Sequence, residues 1–206
     1  MAKLHFNYAT MNAGKSIDLI RIAYNYEENG FKVLVLKPKL DTKDGDYVSS
    51  RTGLRRRVDY LIDGSVIEIL KGKLDGIFCI LVDEAQFLTK EQVDELYLIT
   101  KALDIPVITY GLKLNFKGEM FEGSKRLTEL GEELEEIPTI CSCGEIARMV
   151  GRKVNGEYTI DGAEVVIDGS SDTVEYVPLC GKCYLEKVLK QDLAGFSKQY
   201  GFKKRW

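Results

Sequence analysis

YATMNAGKS, residues 8–16, carries most of the information about the architecture of this chain. Its last three residues match the end of the phosphate-binding pattern G-x-x-x-x-G-K-[ST], whereas Ala9 stands where that pattern has its first glycine. The alternation of residues 3–8 predicts a strand before this loop, and apolar residues at helical spacing predict a helix after it. In such a unit the backbone N–H groups and the helix dipole converge on phosphate oxygens. Alone, the pattern indicates either a nucleotide site with one unusual residue or a chance match.

Each matching residue type in this loop has a chemical purpose. Gly14 allows close approach of the backbone to phosphates, Lys15 neutralises the β- and γ-phosphates, and the Ser16 hydroxyl binds Mg²⁺. Ala9 is unfavourable only if its φ must be positive, which glycine tolerates and alanine resists. The predicted ATP contacts of the loop are Ala9, Thr10, Met11, Asn12, Ala13, Gly14, Lys15 and Ser16.

A second element supports a nucleotide site. The apolar run at residues 77–82 predicts a buried strand, and it is followed directly by Asp83 and Glu84. Parallel sheets bind ligands at the carboxyl ends of their strands, where phosphate-loop enzymes place an aspartate that helps to hold Mg²⁺. Two acids that merely end a strand are the alternative. Together with the loop, the pair predicts a site for ATP and Mg²⁺.

Strands and helices alternate along the first two thirds of the chain. Apolar runs at residues 32–38 and 105–112 predict two more buried strands, so we expect a mostly parallel sheet flanked by helices. Residues 39–57 are polar and show no periodicity, which favours a mobile loop. Near residue 137 this alternation gives way to short strand-like segments with glycines and paired cysteines. We therefore predict an ATP-binding α/β domain at 1–136 and a smaller domain at 137–206, which includes short strand-like segments such as AEVVIDG.

Composition limits the possible classes of protein. The chain has 206 residues, of which 45% are hydrophobic and 30% charged, as in an ordinary globular protein. A net charge of −3 argues against a nucleic-acid partner, despite the basic runs at 55–57 and 203–206. No segment approaches the roughly 20 apolar residues of a membrane span, and the first residues lack the pattern of a signal peptide. We expect a cytoplasmic protein with no membrane partner.

Cysteine spacing predicts a metal site, because thiols stay reduced in the cytoplasm and paired cysteines there bind metal more often than they cross-link. Four thiolates suit a tetrahedral structural Zn²⁺ site, and two unrelated thiol pairs are the alternative. The four candidate ligands are Cys141, Cys143, Cys180 and Cys183. The fifth cysteine, Cys79, lies in an apolar run and is expected to be buried and inert. The single histidine, His5, is expected to pack in the first strand rather than bind a ligand.

Several segments together resemble the type II thymidine kinases. They are MNAGKS (11–16), LVDEAQFL (81–88), DIPVITYGL (104–112) with NFKGEMFEGS (115–124), and VPLCGKCY (177–184). The resemblance covers nearly the whole chain in order. It implies a phosphate-loop, RecA-like fold with a small C-terminal zinc-binding domain and a lid (lasso) loop. It also implies transfer of the γ-phosphoryl group of ATP to the 5′-hydroxyl of thymidine, giving dTMP. Members of the family tolerate alanine at the first position of the loop.

The resemblance implies roles for individual residues. Glu84 would be the catalytic base near the 5′-hydroxyl, Asp83 would support the metal, and Gln86 would brace the acidic turn beside the nucleotide. For two of the aromatic residues implied to contact the nucleoside, at positions 116 and 121, core packing is the alternative. The implied nucleoside contacts are Met11, Phe87, Leu112, Phe116, Phe121 and Tyr176.

One departure from the family concerns the loop after the second strand. The family has an arginine there in an Asp-x-Arg context, whereas this chain has Lys43. Lysine cannot reproduce the bidentate contact that arginine makes with phosphate. Arg51 is therefore a second candidate for the residue that assists the phosphates.

The sequence also raises questions of regulation, oligomeric state and alternative function. The resemblance implies feedback inhibition by dTTP and a homo-oligomer, either a tetramer or a dimer. A kinase for another deoxynucleoside remains an alternative. So does an ATP-driven nucleic-acid motor, although the acidic net charge disfavours it. A zinc-ribbon interaction module with a vestigial nucleotide site is the third, and the complete set of phosphate-site residues argues against decay.

Overall fold

The computed structural model describes residues 1–42, 44–162 and 173–202, apart from the side chain of Ser197. The chain divides into two compact units. The first comprises residues 1–113 and 120–137, and the second comprises 114–119 and the chain from 138 onward. Within the described ranges, no helix is long and apolar enough to cross a bilayer.

A six-stranded parallel sheet forms the centre of the first unit. Its strands are β1 (Leu4–Ala9), β2 (Lys32–Pro38), β5 (Tyr60–Ile62), β6 (Ile77–Val82), β7 (Val107–Leu112) and β8 (Glu133–Glu136). Their order is β5-β2-β6-β7-β1-β8, and every pairing is parallel. The predicted parallel sheet is confirmed. One strand, β7, separates the strand before the phosphate loop from the strand before the acidic pair.

Helices cover both faces of this sheet. They are α1 (Lys15–Glu28), α2 (Val66–Leu70), α3 (Lys90–Leu103) and α4 (Glu122–Leu130), with a 3₁₀ turn at Ala85–Phe87. Successive residues of β2 belong to different cores: Val35 packs with α1, whereas Leu36 packs with α3. A strand covered on both faces needs a continuous apolar run, which explains why the runs in β2 and β6 were recognisable. Helix α3 begins at a capping box between Thr89 and Gln92.

Residues 39–57 differ from the predicted mobile loop. Strands β3 (Tyr47–Ser49) and β4 (Arg55–Arg57) pair in an antiparallel hairpin. Each strand is only three residues long, so the hairpin has no recognisable alternation of apolar and polar residues. Val48 alone is buried within these strands, where it joins the core beneath α1. The prediction of a loop without regular secondary structure was therefore wrong for these two strands.

The second unit contains a small antiparallel sheet and two short helices. Its elements are β9 (Met149–Val154), β10 (Glu157–Thr159), β11 (Val174–Leu179), α5 (Gly181–Lys187) and α6 (Leu193–Gln199). The strand order is β10-β9-β11. Residues 114–119 belong here because the Tyr184 hydroxyl donates to the Phe116 carbonyl at 2.8 Å and Gly118 packs beneath Met149. The segment AEVVIDG lies outside the described residues.

Candidate active site

The loop between β1 and α1 has the geometry of an anion cradle. Gly14 has a φ of 86° and Asn12 a φ of 67°, so two residues of the loop occupy the left-handed region. A side chain added at Gly14 would meet no heavy atom within 4 Å. Glycine is therefore required here by its backbone conformation and not by close packing.

Ala9 lies at the end of β1 and is paired in register with Leu112 of β7. It is buried and belongs to an extended strand, so its φ is not in the left-handed region. Its carbonyl accepts a hydrogen bond from the Lys113 N–H at 3.3 Å. Alanine in place of glycine at the first position of the pattern therefore carries no backbone strain.

Lys15 is the cationic residue of this loop, and its side chain is buried. Its Nζ donates to the carbonyl oxygen of Thr10 at 3.4 Å. The hydroxyl of Thr10 is also buried and has no hydrogen-bond partner in the described part of the chain. A buried ammonium is costly unless an anion is close by, so the loop is suited to receive phosphate oxygens.

A cavity of about 340 Å³ opens at the carboxyl end of the sheet in the first unit. Its wall includes the phosphate loop, the two acids that follow β6, and the hairpin residues Ser50, Arg51 and Thr52. Met11 and Leu112 also line it. The structure thus brings Lys15 and Glu84, predicted from separate segments, to one cavity. Lys43 lies outside the described residues.

Asp83 is deeply buried at the end of β6. Its backbone N–H donates to the Leu36 carbonyl of the neighbouring β2 at 3.0 Å, which holds the backbone of Asp83 at the carboxyl end of the sheet. Burial and the adjacent charge of Glu84 raise the pKa of Asp83 to about 7. Its Oδ1 is buried without a hydrogen-bond partner among the described residues. A buried carboxylate oxygen left in this state fits a ligand for a hard cation such as Mg²⁺.

Glu84 follows with a left-handed backbone, at a φ of 48°. This conformation is uncommon for a residue with a side chain, and it turns the chain sharply at the end of β6. Gln86 braces the turn: its Nε2 donates to Glu84 Oε2 at 2.5 Å, and its Oε1 accepts from the Leu112 N–H at 3.0 Å. Gln86 therefore lies behind the turn and not on the cavity wall.

The predicted nucleoside contacts fall into separate groups. In the first unit, Phe87 and Phe121 form an edge-to-face pair with ring centroids 5.8 Å apart. In the second unit, Phe116 is almost fully buried, and its ring centroid lies 6.3 Å from that of Tyr176. The guanidinium of Arg152 sits 5.1 Å from the Phe116 ring centroid. The core-packing alternative for Phe116 and Phe121 thus agrees with their burial.

The four cysteines of the second unit form one cluster. Their Sγ atoms all lie within 4.8 Å of one another, and those of Cys143 and Cys180 are 3.6 Å apart. Four sulfurs around a tetrahedral Zn²⁺ with bonds of about 2.3 Å would be separated by about 3.8 Å, so the donor set fits this metal. Cys143 is exposed and the other three are buried. Cys79 lies apart from them in β6, where burial raises the pKa of its thiol to about 12.

Sequence reasoning missed two buried cations. Lys37, in β2, lines the cavity, and Arg152, in β9, lies against Phe116. A lysine just before the proline that ends an apolar run was a usable signal for Lys37, because a charge within such a run must find partners. No comparable signal marks Arg152, since β9 is not a continuous apolar run and a second cation, Lys153, follows it directly.

Fold and site together define a class of protein. A parallel sheet with a strand–loop–helix anion cradle at one strand end and an acidic pair at another is the arrangement of the phosphate-loop nucleotide-binding proteins. The family model described as thymidine kinase matches residues 2–184. The chain belongs to the thymidine kinase family, and the resemblance noted in its motifs is confirmed.

Individual relatives agree with this assignment. A thymidine kinase of Streptococcus gordonii is 41% identical over 189 residues, which cover 90% of this chain and 97% of the relative. One of Streptococcus thermophilus is 44% identical over 186 residues, 88% of this chain and 93% of the relative. Among solved structures, Bacteroides Pif1 bound to single-stranded DNA aligns over 66% of this chain and 38% of its own, at 12% identity and a TM-score of 0.39. That likeness is too weak to support any inference.

Proposed function

We propose that the protein transfers the γ-phosphoryl group of ATP to the 5′-hydroxyl of thymidine and releases dTMP and ADP. The observation that carries the proposal is the single cavity shared by the lysine of the phosphate loop and the acidic pair after β6. Two relatives above 40% identity that bear the name thymidine kinase support the choice of nucleoside.

The loop between β1 and α1 binds the triphosphate in this proposal. Backbone N–H groups around Gly14 and the ammonium of Lys15 meet the phosphate oxygens. The hydroxyl of Ser16 and the carboxylate of Asp83 fit as magnesium ligands, because hard cations prefer oxygen. Bound with ATP, Mg²⁺ supplies neutralisation of the charge on the β- and γ-phosphates. Arg51, exposed on the hairpin, is the candidate for a further phosphate contact.

Glu84 acts as the general base in this proposal. Its carboxylate accepts the proton of the 5′-hydroxyl as the hydroxyl oxygen attacks the γ-phosphorus and the bond to the leaving ADP oxygen breaks. Such assistance accelerates a reaction by roughly 10²–10⁴-fold. Gln86 holds the carboxylate in place through its 2.5 Å hydrogen bond to Oε2. Phosphoryl transfer depends mainly on positioning, so this hydrogen bond is expected to contribute to the rate by orienting Glu84.

Apolar residues of the first unit are proposed to contact the thymine base. Met11 and Leu112 line the cavity. Phe87 is the last residue of the 3₁₀ turn that follows Glu84, and its ring pairs with that of Phe121. In the second unit, Phe116 and Tyr176 remain predicted nucleoside contacts. Inhibition by dTTP and assembly into a tetramer or dimer likewise remain predictions from the family resemblance.

A structural Zn²⁺ is proposed for the cysteine cluster. Its four thiolates would hold the metal, which would contribute folding energy and no reactive group. The donor atoms belong to the turn before β9 and to the beginning of α5. Metal at this position would thus join the two ends of the β9–β11 segment.

The test of the function is a substrate panel. Purified protein is incubated with Mg²⁺, ATP and each common nucleoside in turn, and the products are separated by chromatography. We expect dTMP with thymidine and much less product with cytidine or purine nucleosides. Phosphorylation of a different nucleoside in preference to thymidine, or hydrolysis of ATP without any nucleoside monophosphate, would contradict the proposal.

A further inference from the structure

Lys37 is the most deeply buried cation at the cavity. It is the last residue of β2 before Pro38, and its side chain is only 2% exposed. Its Nζ lies 2.8 Å from Asp41 Oδ2 and donates to the carbonyl oxygens of Gly45 at 3.1 Å and Tyr47 at 3.4 Å. An ammonium group can donate three hydrogen bonds, and these contacts give the buried charge polar partners. The cost of burying the charge is thus offset by contacts with one loop.

The partners of Lys37 lie at the root of the β3–β4 hairpin. Gly45 immediately precedes the hairpin, and Tyr47 is the first residue of β3. The root is closed by a second bond, from the Val58 N–H to the Asp46 carbonyl at 2.9 Å. Lys37 therefore connects the carboxyl end of a central strand to the base of the hairpin.

The tip of the same hairpin is internally braced. The Ser50 N–H donates to the Leu54 carbonyl at 2.8 Å, and the Leu54 N–H donates to the Ser50 hydroxyl at 3.0 Å. The Ser50 and Thr52 hydroxyls are 2.9 Å apart. Ser50, Arg51 and Thr52 all line the cavity. Since the tip is held together by its own bonds, its location on the cavity wall depends on how the root is held.

We propose that Lys37 is a positioning residue for triphosphate binding, which holds the root of the β3–β4 hairpin so that Arg51 stays on the wall of the phosphate cavity. The inference rests on the proposed function, because it takes ATP as the ligand. Lys37 acts through Arg51 and not by direct contact, since its protons are engaged by Asp41 and the two loop carbonyls. Lys43 and Arg51 are the two sequence candidates for the residue that assists the phosphates. If Arg51 has this role, it depends on Lys37 as well.

The loss of ATP affinity on removal of the Lys37 ammonium should be limited. Val48 of β3 is buried in the core beneath α1, so the hairpin keeps one anchor when Lys37 is lost. Loss of the ammonium should shift the tip rather than release it. Because small displacements of binding groups are already costly, we expect ATP binding to weaken by about tenfold and not to disappear.

The test compares Lys37→Met with Lys39→Met. Methionine keeps the length of the Lys37 side chain but removes the charge, while Lys39 is an exposed lysine two residues away that pairs with Asp63 at 3.0 Å. We expect Lys37→Met to raise KM for ATP by about tenfold with little change in KM for thymidine, and Lys39→Met to change neither. A lower melting temperature with unchanged KM for ATP would show a purely structural role and overturn the proposal.

A double-mutant cycle with Arg51→Ala tests the route of the effect. If Lys37 acts through Arg51, adding Lys37→Met to Arg51→Ala should weaken ATP binding by less than about twofold further. If the double variant instead loses ATP affinity by the product of the two single losses, the proposal is overturned. If Lys37→Met does not fold, Asp41→Asn removes the negative charge that faces the Lys37 ammonium and should shift KM for ATP in the same direction by a smaller factor; no shift would count against the proposal.

Direct binding separates this inference from the proposed function. Binding of a non-hydrolysable ATP analogue with Mg²⁺ is measured by calorimetry on the same variants, without nucleoside. If the wild type binds the analogue but phosphorylates no thymidine, the proposed function fails while the comparison of variants still decides the role of Lys37. Equal affinity in the wild type and Lys37→Met would overturn the positioning role whatever the nucleoside assay shows.

Discussion

The side-chain Nε2 of Gln86 donates a hydrogen bond to Oε2 of Glu84 at 2.5 Å. The other end of the same amide accepts from the Leu112 N–H, so Gln86 links the acidic turn to the end of β7. The fit is close: a Cβ on Gly111 would lie 2.9 Å from Gln86 Oε1. One buried amide thus sets where the Glu84 carboxylate points.

Gln86→Met should separate catalysis from nucleotide binding. Removing the amide frees the Glu84 carboxylate, so kcat should fall by about tenfold or more, whereas KM for ATP should change little because Gln86 lies behind the turn. The unpaired Leu112 N–H should also lower stability by about 1–3 kcal/mol. Steady-state kinetics well below the melting temperature measure the first effect. Gln191→Met, at an exposed glutamine, is the control; an equal loss of kcat there would refute the link.

Glu84→Gln should remove most turnover while the triphosphate still binds. The amide cannot accept the proton of the attacking hydroxyl, so we expect kcat to fall by about 10²-fold or more. Calorimetry with an ATP analogue should give nearly the wild-type affinity. Glu28→Gln makes the same charge change at an exposed position at the end of α1 and should leave both values unchanged. Near wild-type turnover in Glu84→Gln would mean that another group serves as the base.

Cys143→Ala should reduce the zinc content without opening a cavity. Cys143 is the exposed member of the cluster, so its removal costs little packing. We expect about one zinc per chain in the wild type, much less in the variant, and a lower melting temperature, because metal binding contributes folding energy. Cys79→Ala changes a buried cysteine of the core and should keep the zinc. Wild-type protein purified under reducing conditions with no zinc would disprove the site.

His5 should make the protein less stable in mild acid. Burial in β1 lowers the pKa of its imidazole from the usual 6.5, so the folded state binds fewer protons than the unfolded state. The associated stability is complete above about pH 6.5 and is lost as the pH falls through the lower, folded-state pKa. NMR titration should show the single imidazole titrating below the unfolded value. His5→Gln should remove this contribution from the pH dependence of the melting temperature. An imidazole that titrates above pH 6.5 would contradict the prediction.

The sequence predicted the parallel sheet, and also the phosphate loop and the acidic pair that line one cavity, because all three depend on local patterns. Buried parallel strands such as β6 appear as continuous apolar runs, and the phosphate loop and the acidic pair each follow such a run directly. Strand β8 escaped notice because it is an exposed edge strand of sequence ELEE, paired only with β1. Its strand conformation comes from a partner distant in the sequence, which no local period reveals.

Other features depend on contacts that a linear pattern does not contain. The burial of Lys37 follows from carbonyl groups eight and ten residues further along the chain. Residues 114–119 belong to the second unit because Tyr184 holds the Phe116 carbonyl from 68 residues away. Both cases involve backbone carbonyls, and such partners leave no signature in the residue types.

Exchange of glycine and alanine should affect different properties at the two ends of the phosphate loop: stability at residue 9 and ATP binding at residue 14. Ala9 ends a strand with extended backbone, so Ala9→Gly gains no binding geometry and should cost about 0.5–1 kcal/mol of stability through chain entropy. Gly14 has a φ of 86°, where a side chain is strained, so Gly14→Ala should distort the cradle and weaken ATP binding at least about tenfold.

Thermal melting and analogue binding on both variants provide the measurement. Neither substitution changes a charge, so a difference between the two variants must come from the backbone. If Ala9→Gly instead tightened ATP binding, the alanine would be a real defect in the phosphate pattern. The strand geometry at that position would then not explain why the chain tolerates it.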